Sequence, residues 1–269
     1  MKKTVLMVAV LSFALTGFSA LETVIKLNVS TAVSVRDISS SNGNYMIWNY
    51  STNTALFNGS AAESTKVYGG FQHYSSNGTL AAGNQQISVS GGVGGANRLA
   101  INANVGSGGS RSTGVVFWDK NDFLAGNTDS DEVRFDASGS LSMFIPNVTD
   151  ATDYRWVIRN GDVFYVSNAK LSADTTNILS GTDSVLWAEW DPSIDFTIIP
   201  SSGYTTSTLD FTDVTAIGIY FDASRPNAIG RFRIDGFVAN LNVVPEPATL
   251  AMLGIGMAVV FGARKRFHR

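Results

Sequence analysis

The sequence predicts an all-β fold, an antiparallel β-sandwich or jelly roll, on three observations. Short apolar segments with period-two alternation recur along residues 20–243, and turn residues separate nearly all of them. Gly is abundant, at 26 of 269 residues, while long runs of Ala, Leu, Glu and Lys are missing. Asn160-Gly161 sits between two alternating runs, which is a strong short-range hairpin signal.

The elements follow in chain order. Met1-Lys2-Lys3 gives a positive start, and Val5 to Phe18 is an apolar run of 14 residues ending in small residues at Ser19 and Ala20. This is the pattern of a secretory signal peptide over residues 1–19, with cleavage after Ser19 or Ala20. The run is too short for a comfortable membrane span. Strands are then expected at Val24–Val35, Tyr45–Tyr50, Lys66–Tyr74, Gln86–Val89, Arg98–Ala103, Gly114–Trp118 and Glu132–Phe135. Further strands are expected at Leu141–Val148, Tyr154–Ile158, Val163–Ser167, Val185–Trp190, Thr215–Phe221 and Gly230–Val243. The Gly-, Ser- and Asn-rich stretch 78–114 marks a candidate boundary inside this 20–243 body.

A type I′ turn on Asn160-Gly161 pairs Arg159 with Asp162, Ile158 with Val163, Val157 with Phe164 and Trp156 with Tyr165. Tyr154, Trp156, Ile158, Val163 and Tyr165 then share one face, and Arg155, Val157, Phe164 and Val166 the other. Both faces are partly apolar, so the hairpin belongs in the middle of a sheet. In the last strand region the apolar phase runs through Phe232 and Ile234, then moves to Phe237, Ala239 and Leu241 after Asp235-Gly236. A one-residue shift at a Gly predicts a β-bulge.

Composition excludes several functions. There is no Cys, so disulfides and thiolate chemistry are out. The two His are His73 and His268, too few for a Ser-His-Asp triad or a multi-His zinc site. Setting aside six basic residues at the ends and Glu246, the body keeps 13 basic and 21 acidic residues, a net charge of −8. An acidic body is a poor partner for nucleic acid. The Gly clusters match no phosphate loop, because no Gly-Lys-Ser/Thr follows. Paired carboxylates could run glycoside hydrolysis, which would make this a polysaccharide-active enzyme, but no pair stands out by spacing, so the body is expected not to be an enzyme.

Two constellations could carry binding. Asp119, Asp122, Asp129 and Asp131 lie in an oxygen-rich loop of the kind calcium takes. Asn127, Asp129 and Asp131 begin like an EF-hand, but Glu132 replaces the required Gly and Ser138 the bidentate Glu. A solvated loop with Asx turns is the stronger reading, and no other cofactor is expected. Trp118, Trp156, Trp187 and Trp190 could stack on sugar rings, with Asp119, Glu189 and Asp191 beside them for the hydroxyls. The competing reading is that these Trp fill the core. By alternation, at most one of Trp187 and Trp190 faces a ligand.

The C-terminal end reads Val244-Pro245-Glu246-Pro247, then 16 residues from Ala248 to Ala263 with only Thr249 polar, then Arg264-Lys265-Arg266. As a helix, residues 248–263 would span about 24 Å at ~1.5 Å per residue, with snorkelling side chains closing the gap to a full bilayer. The basic cluster is expected to stay cytoplasmic. Pro245-Glu246-Pro247, an apolar segment and a terminal basic cluster resemble the PEP-CTERM sorting signal read by exosortase, over residues 244–267. The resemblance implies a Gram-negative-type bacterium, processing of an inner-membrane intermediate, and display at the cell surface or in an exopolysaccharide-rich biofilm matrix. It says nothing of the body's activity. Separately, the strand pattern of Val157–Ser167, Thr215–Phe221 and Arg231–Leu241 is similar to carbohydrate-binding-type jelly-roll domains, which implies extracellular polysaccharide as an alternative partner.

Overall fold

The computed structural model describes residues 19–26, 45–49, 54–58, 68–74, 85–91, 97–103, 110–120, 131–145, 152–181, 183–192, 198–225 and 231–244. Strands β1 (Ala20–Lys26), β2 (Tyr45–Asn49), β3 (Thr54–Asn58), β4 (Tyr68–Tyr74), β5 (Gln85–Gly91) and β6 (Asn97–Ala103) come first. They are followed by β7 (Ser110–Asp119), β8 (Glu132–Arg134), β9 (Ser140–Ile145), β10 (Thr152–Asn160) and β11 (Val163–Ser167). The rest are β12 (Thr175–Ser180), β13 (Trp187–Trp190), β14 (Val214–Arg225) and β15 (Arg231–Val244). Every strand pairing among the described residues is antiparallel, and every element that lies wholly among them is a strand.

Two sheets make a sandwich. The first runs β12-β9-β15-β6-β5, with β1 and β8 also on β15; the second runs β13-β11-β10-β14-β7-β4. β2 and β3 pair with each other. The described parts of the Gly-rich stretch are not loop: β5 and β6 join the first sheet, and β7 the second. Between the sheets lie Val116, Trp118, Tyr154, Trp156, Ile158, Ile217, Ile219 and Phe221 from the second, against Leu141, Met143, Ile234, Phe237, Ala239 and Leu241 from the first. Phe237 stacks on Trp118, with ring centroids 4.5 Å apart and planes 12° apart, and leans on Trp156 at 6.2 Å.

β15 is the spine of the first sheet. One edge pairs with β9 and then β8, and the other with β6 and then β1. Opposite β9 the register moves from Asp235↔Phe144 to Val238↔Ser142, so three steps on β15 face two on β9. This is the bulge expected at Asp235-Gly236. It is why Ile234 and Phe237, three apart, both point into the core.

The β10–β11 hairpin forms, but its two-residue loop lies one residue further along the chain than expected. Asn160 pairs with Val163, Arg159 with Phe164, Ile158 with Tyr165 and Val157 with Val166. The loop is therefore Gly161-Asp162. φ is +57° at Gly161, and Asp162 is not among the positive-φ residues, the pattern of a type II′ turn rather than type I′. Asn160 is a strand residue whose Oδ1 accepts the Asp213 N–H at 2.8 Å. The face assignments survive, because a one-residue slip on both strands preserves the alternation. Tyr154, Trp156 and Ile158 lie in the inter-sheet core, while Val157 and Val166 lie on the outer face.

That outer face is itself apolar. Val115, Phe117, Val157, Val166, Trp190, Ala216 and Tyr220 form a second cluster, with Phe164 and Ile199 against it. Opposite Phe117 stands Gly218, where a Cβ would come within 2.6 Å of the Phe117 Cβ and 2.1 Å of the Val116 carbonyl oxygen. Only Gly allows this approach. Residues 198–205 are fastened across this side. Trp190 Nε1–H donates to Ile198 O at 2.8 Å, and Thr205 N–H to Trp187 O at 2.8 Å. Arg155 chelates Asp153 at 2.8 and 3.0 Å and donates from Nη1 to Ser167 O, Asn168 O and the Tyr204 hydroxyl.

Candidate functional site: an outer-face cavity and the sorting junction

Beside the β10–β11 turn, the outer face of the second sheet opens into a cavity of about 670 Å³. Phe117, Phe164 and Trp190 supply its aromatic surface, and Val163 and Pro192 add apolar area. Arg159, Asp162, Glu189 and Asp191 supply the polar lining, and the three acids are exposed. Arg159 is held firmly. Its Nη2 meets Asp119 Oδ2 at 2.8 Å, its Nε donates to Thr215 Oγ1 at 2.7 Å, and its guanidinium lies 5.5 Å from the Phe164 ring centre. The cavity thus joins aromatic faces to several hydrogen-bond acceptors and one oriented cation, a combination suited to a polyhydroxylated ligand.

Of the four Trp named from sequence, Trp190 alone reaches this cavity. Trp118, Trp156 and Trp187 are 3%, 1% and 3% exposed and belong to the inter-sheet core. They are corrected as sugar platforms, since a ring packed on both faces offers none to a ligand. Trp190 is 7% exposed, with its edge against Tyr220 at 5.8 Å, so it contributes to a wall and not an open platform. Burial raises the Tyr220 hydroxyl to about 12, with Asp222 and Asp153 adding to the effect. Phe117, Phe164, Arg159 and Asp162 were not singled out from sequence as site residues. Only the strand register brings them together.

Of the candidate calcium ligands, Asp119 is engaged by Arg159, and Asp131 is buried with its carbonyl accepting from Lys120 Nζ at 3.1 Å. Asp122 and Asp129 lie outside the described residues, as do residues 1–18 of the signal peptide, Pro245, Glu246, Pro247, the span 248–263 and Arg264, Lys265 and Arg266. Among the described residues no helix is long and apolar enough to cross a membrane, and no group of three His, Asp or Glu could hold a metal ion.

The second site is the end of β15. Asn242 pairs with Arg134 on one edge and Leu21 on the other, and Val243 with Val133 and Ala20. Val244 pairs with Glu132. The Asn242 side chain is pinned as well. Its Nδ2 lies 2.8 Å from both Asp136 carboxylate oxygens and 2.6 Å from Ser138 Oγ. Burial pushes the Asp136 carboxyl up. Hydrogen bonds from the Ser138 N–H and hydroxyl and from Asn242, with Arg134 nearby, outweigh it and hold the group below its ordinary value. Pro245, which follows, has no N–H with which to extend the ladder.

The spine strand of this antiparallel sandwich is followed in sequence directly by Pro245-Glu246-Pro247. Residues 243–266 match the PEP-CTERM protein-sorting motif, the signal of an exported protein that passes through the membrane to the cell surface with exosortase as its processing partner. No curated protein and no solved structure matches the chain.

Proposed function

We propose that this chain is a non-enzymatic surface or matrix protein, held at the inner membrane by residues 248–263 and then processed at Pro245-Glu246-Pro247. The observation that carries this reading is the sorting motif at residues 243–266, contiguous with the last strand of a folded body. Arg264, Lys265 and Arg266 form the cytoplasmic stop, because charged groups are costly to carry through hydrocarbon. The test is mass spectrometry of the mature C-terminus in a host with its exosortase. A C-terminus upstream of Ala248 is expected. A surface protein that keeps the tail through Arg269 would make the segment a plain anchor.

A second reading concerns the body, and the outer-face cavity favours it. Its aromatic and acidic lining supports contact with extracellular polysaccharide, which would place the protein in a biofilm matrix. A glycan array probed with the exported protein and with Arg159→Ala and Trp190→Ala variants tests this. Glycan binding that both variants weaken supports the reading, and binding that neither changes places the contact elsewhere.

A further inference from the structure

The sorting motif and the fold overlap. The motif begins at Val243, and β15 ends at Val244. The first two residues of the signal are therefore strand residues of the body. No spacer separates the ordered sheet from Pro245.

This overlap constrains access. A processing enzyme takes its substrate in extended form and pairs with the substrate's free backbone N–H and C=O groups. Asn242 and Val243 lie between β8 and β1 with a strand partner on each side, and Val244 is partnered by β8. Bulk adds to the effect. A body of about 225 residues has a radius of gyration of about 17 Å, so an intact sandwich that runs up to Pro245 without a spacer crowds an active site at the membrane face. Opening the strand relieves both constraints at about 3.3 Å of reach per residue released.

The same geometry sets how far the strand opens. Val244 is held by the short strand β8, and Val243 by β8, by the first residue of β1 and by its side chain, which is buried in the inter-sheet core. Asn242 is held by its pairing and by its side chain on Asp136 and Ser138. Fraying thus stops at Asn242.

We infer that processing by exosortase is limited by fraying of the last two residues of β15, and that Asn242 is the positioning residue that sets this limit. The inference rests on the sorting reading above. The experiment is a pulse-chase of the full-length chain in a host with its exosortase, read by mass spectrometry of the C-terminus. The variants are a Gly-Ser-Gly-Ser insertion between Val244 and Pro245, Asn242→Ala, and the two combined. The insertion lies after the strand and leaves every pairing intact. It is expected to speed processing about tenfold. Asn242→Ala is expected to speed it less, and to add nothing once the insertion is present. A merely structural role for Asn242 would give the same effect in both backgrounds. A processed parent whose rate the insertion does not raise overturns this inference alone. A parent that keeps its tail through Arg269 overturns the sorting reading and this inference with it.

Discussion

Deleting Gly236 tests the architecture at its most sensitive point. The bulge moves β15 from inward-pointing even positions, ending at Ile234, to inward-pointing odd positions, beginning at Phe237. With Gly236 gone and Arg231–Asp235 still paired to β6, Phe237, Ala239, Leu241 and Val243 all turn to the wrong face. Phe237, Leu241 and Val243 are fully or almost fully buried. Exposing them costs about 1.5–3 kcal/mol each, or about 5–9 kcal/mol in sum. That is comparable to the ~5–15 kcal/mol that holds an ordinary domain together. The deletion should therefore abolish cooperative folding. Phe237→Ala, which leaves the register intact, should cost only about 3–5 kcal/mol, a fall of roughly 2–4 °C in melting temperature per kcal/mol for a body of this size. Thermal and urea unfolding of residues 20–244, followed by circular dichroism, would separate the two. A deletion variant that melts within a few degrees of the parent would show that the bulge does not set the register.

Further outcomes are expected. Gly161→Val forces a β-branched side chain into φ = +57° with no atom closer than 3.8 Å to its Cβ. The cost should be backbone strain alone, about 1–2 kcal/mol by urea titration; a neutral result would exclude the positive-φ turn. The folded Asp136 carboxyl is held below its ordinary 3.8, so its contribution is complete above pH ~4 and is lost as pH falls through the lowered value. Asn242→Ala removes one of the hydrogen bonds that lower it, and the acid limb of a melting-temperature profile should flatten. At the other end, burial raises Tyr154 and raises Tyr220 to about 12, so stability should fall as pH rises above 10, the ordinary tyrosine value. Calcium and chelator should give the same melting curve, because Asp119 is already spent on Arg159. A rise with millimolar calcium would point to a site in the Asp119–Glu132 loop.

How much was legible in the sequence depended on whether a feature is local. β11 was read to the residue, and the bulge at Asp235-Gly236 was visible because a phase change in an alternating pattern needs no knowledge of partners. β12 was missed. As an edge strand it buries only Leu179, and Ile178 stands 67% exposed, so Thr175–Ser180 shows no inward stripe. β3 was missed too, since Thr54–Asn58 offers only a short apolar run. The hairpin loop was misplaced by one residue because Asn-Gly and Gly-Asp each supply a permissive residue. The face pattern, having period two, fits both registers. Trp118, Trp156 and Trp187 could not be told from ligand platforms by type alone. The cavity was not legible, because Phe117, Phe164 and Trp190 come from strands whose neighbours only the folded register reveals.

The chain order of the spine has a consequence for export. Strands β1, β6, β8 and β9 all take their partner from Arg231–Val244, the last strand of the body. None of these pairings can form until that segment has been delivered, so the first sheet cannot be completed while the chain is still being threaded. The second sheet has no such dependence, since β14 already follows β7, β10, β11 and β13 and precedes β15. Its inner face, with Trp118, Trp156 and Phe221, lacks the cover of Phe237, Leu241 and Val243 until that last strand arrives. The residues that cover it lie directly ahead of the sorting motif. Closure of the sandwich and reading of the sorting motif thus draw on adjacent segments of one chain. Both ends of the body, Ala20 and Val243, meet as strand partners at the pole where the tail leaves it.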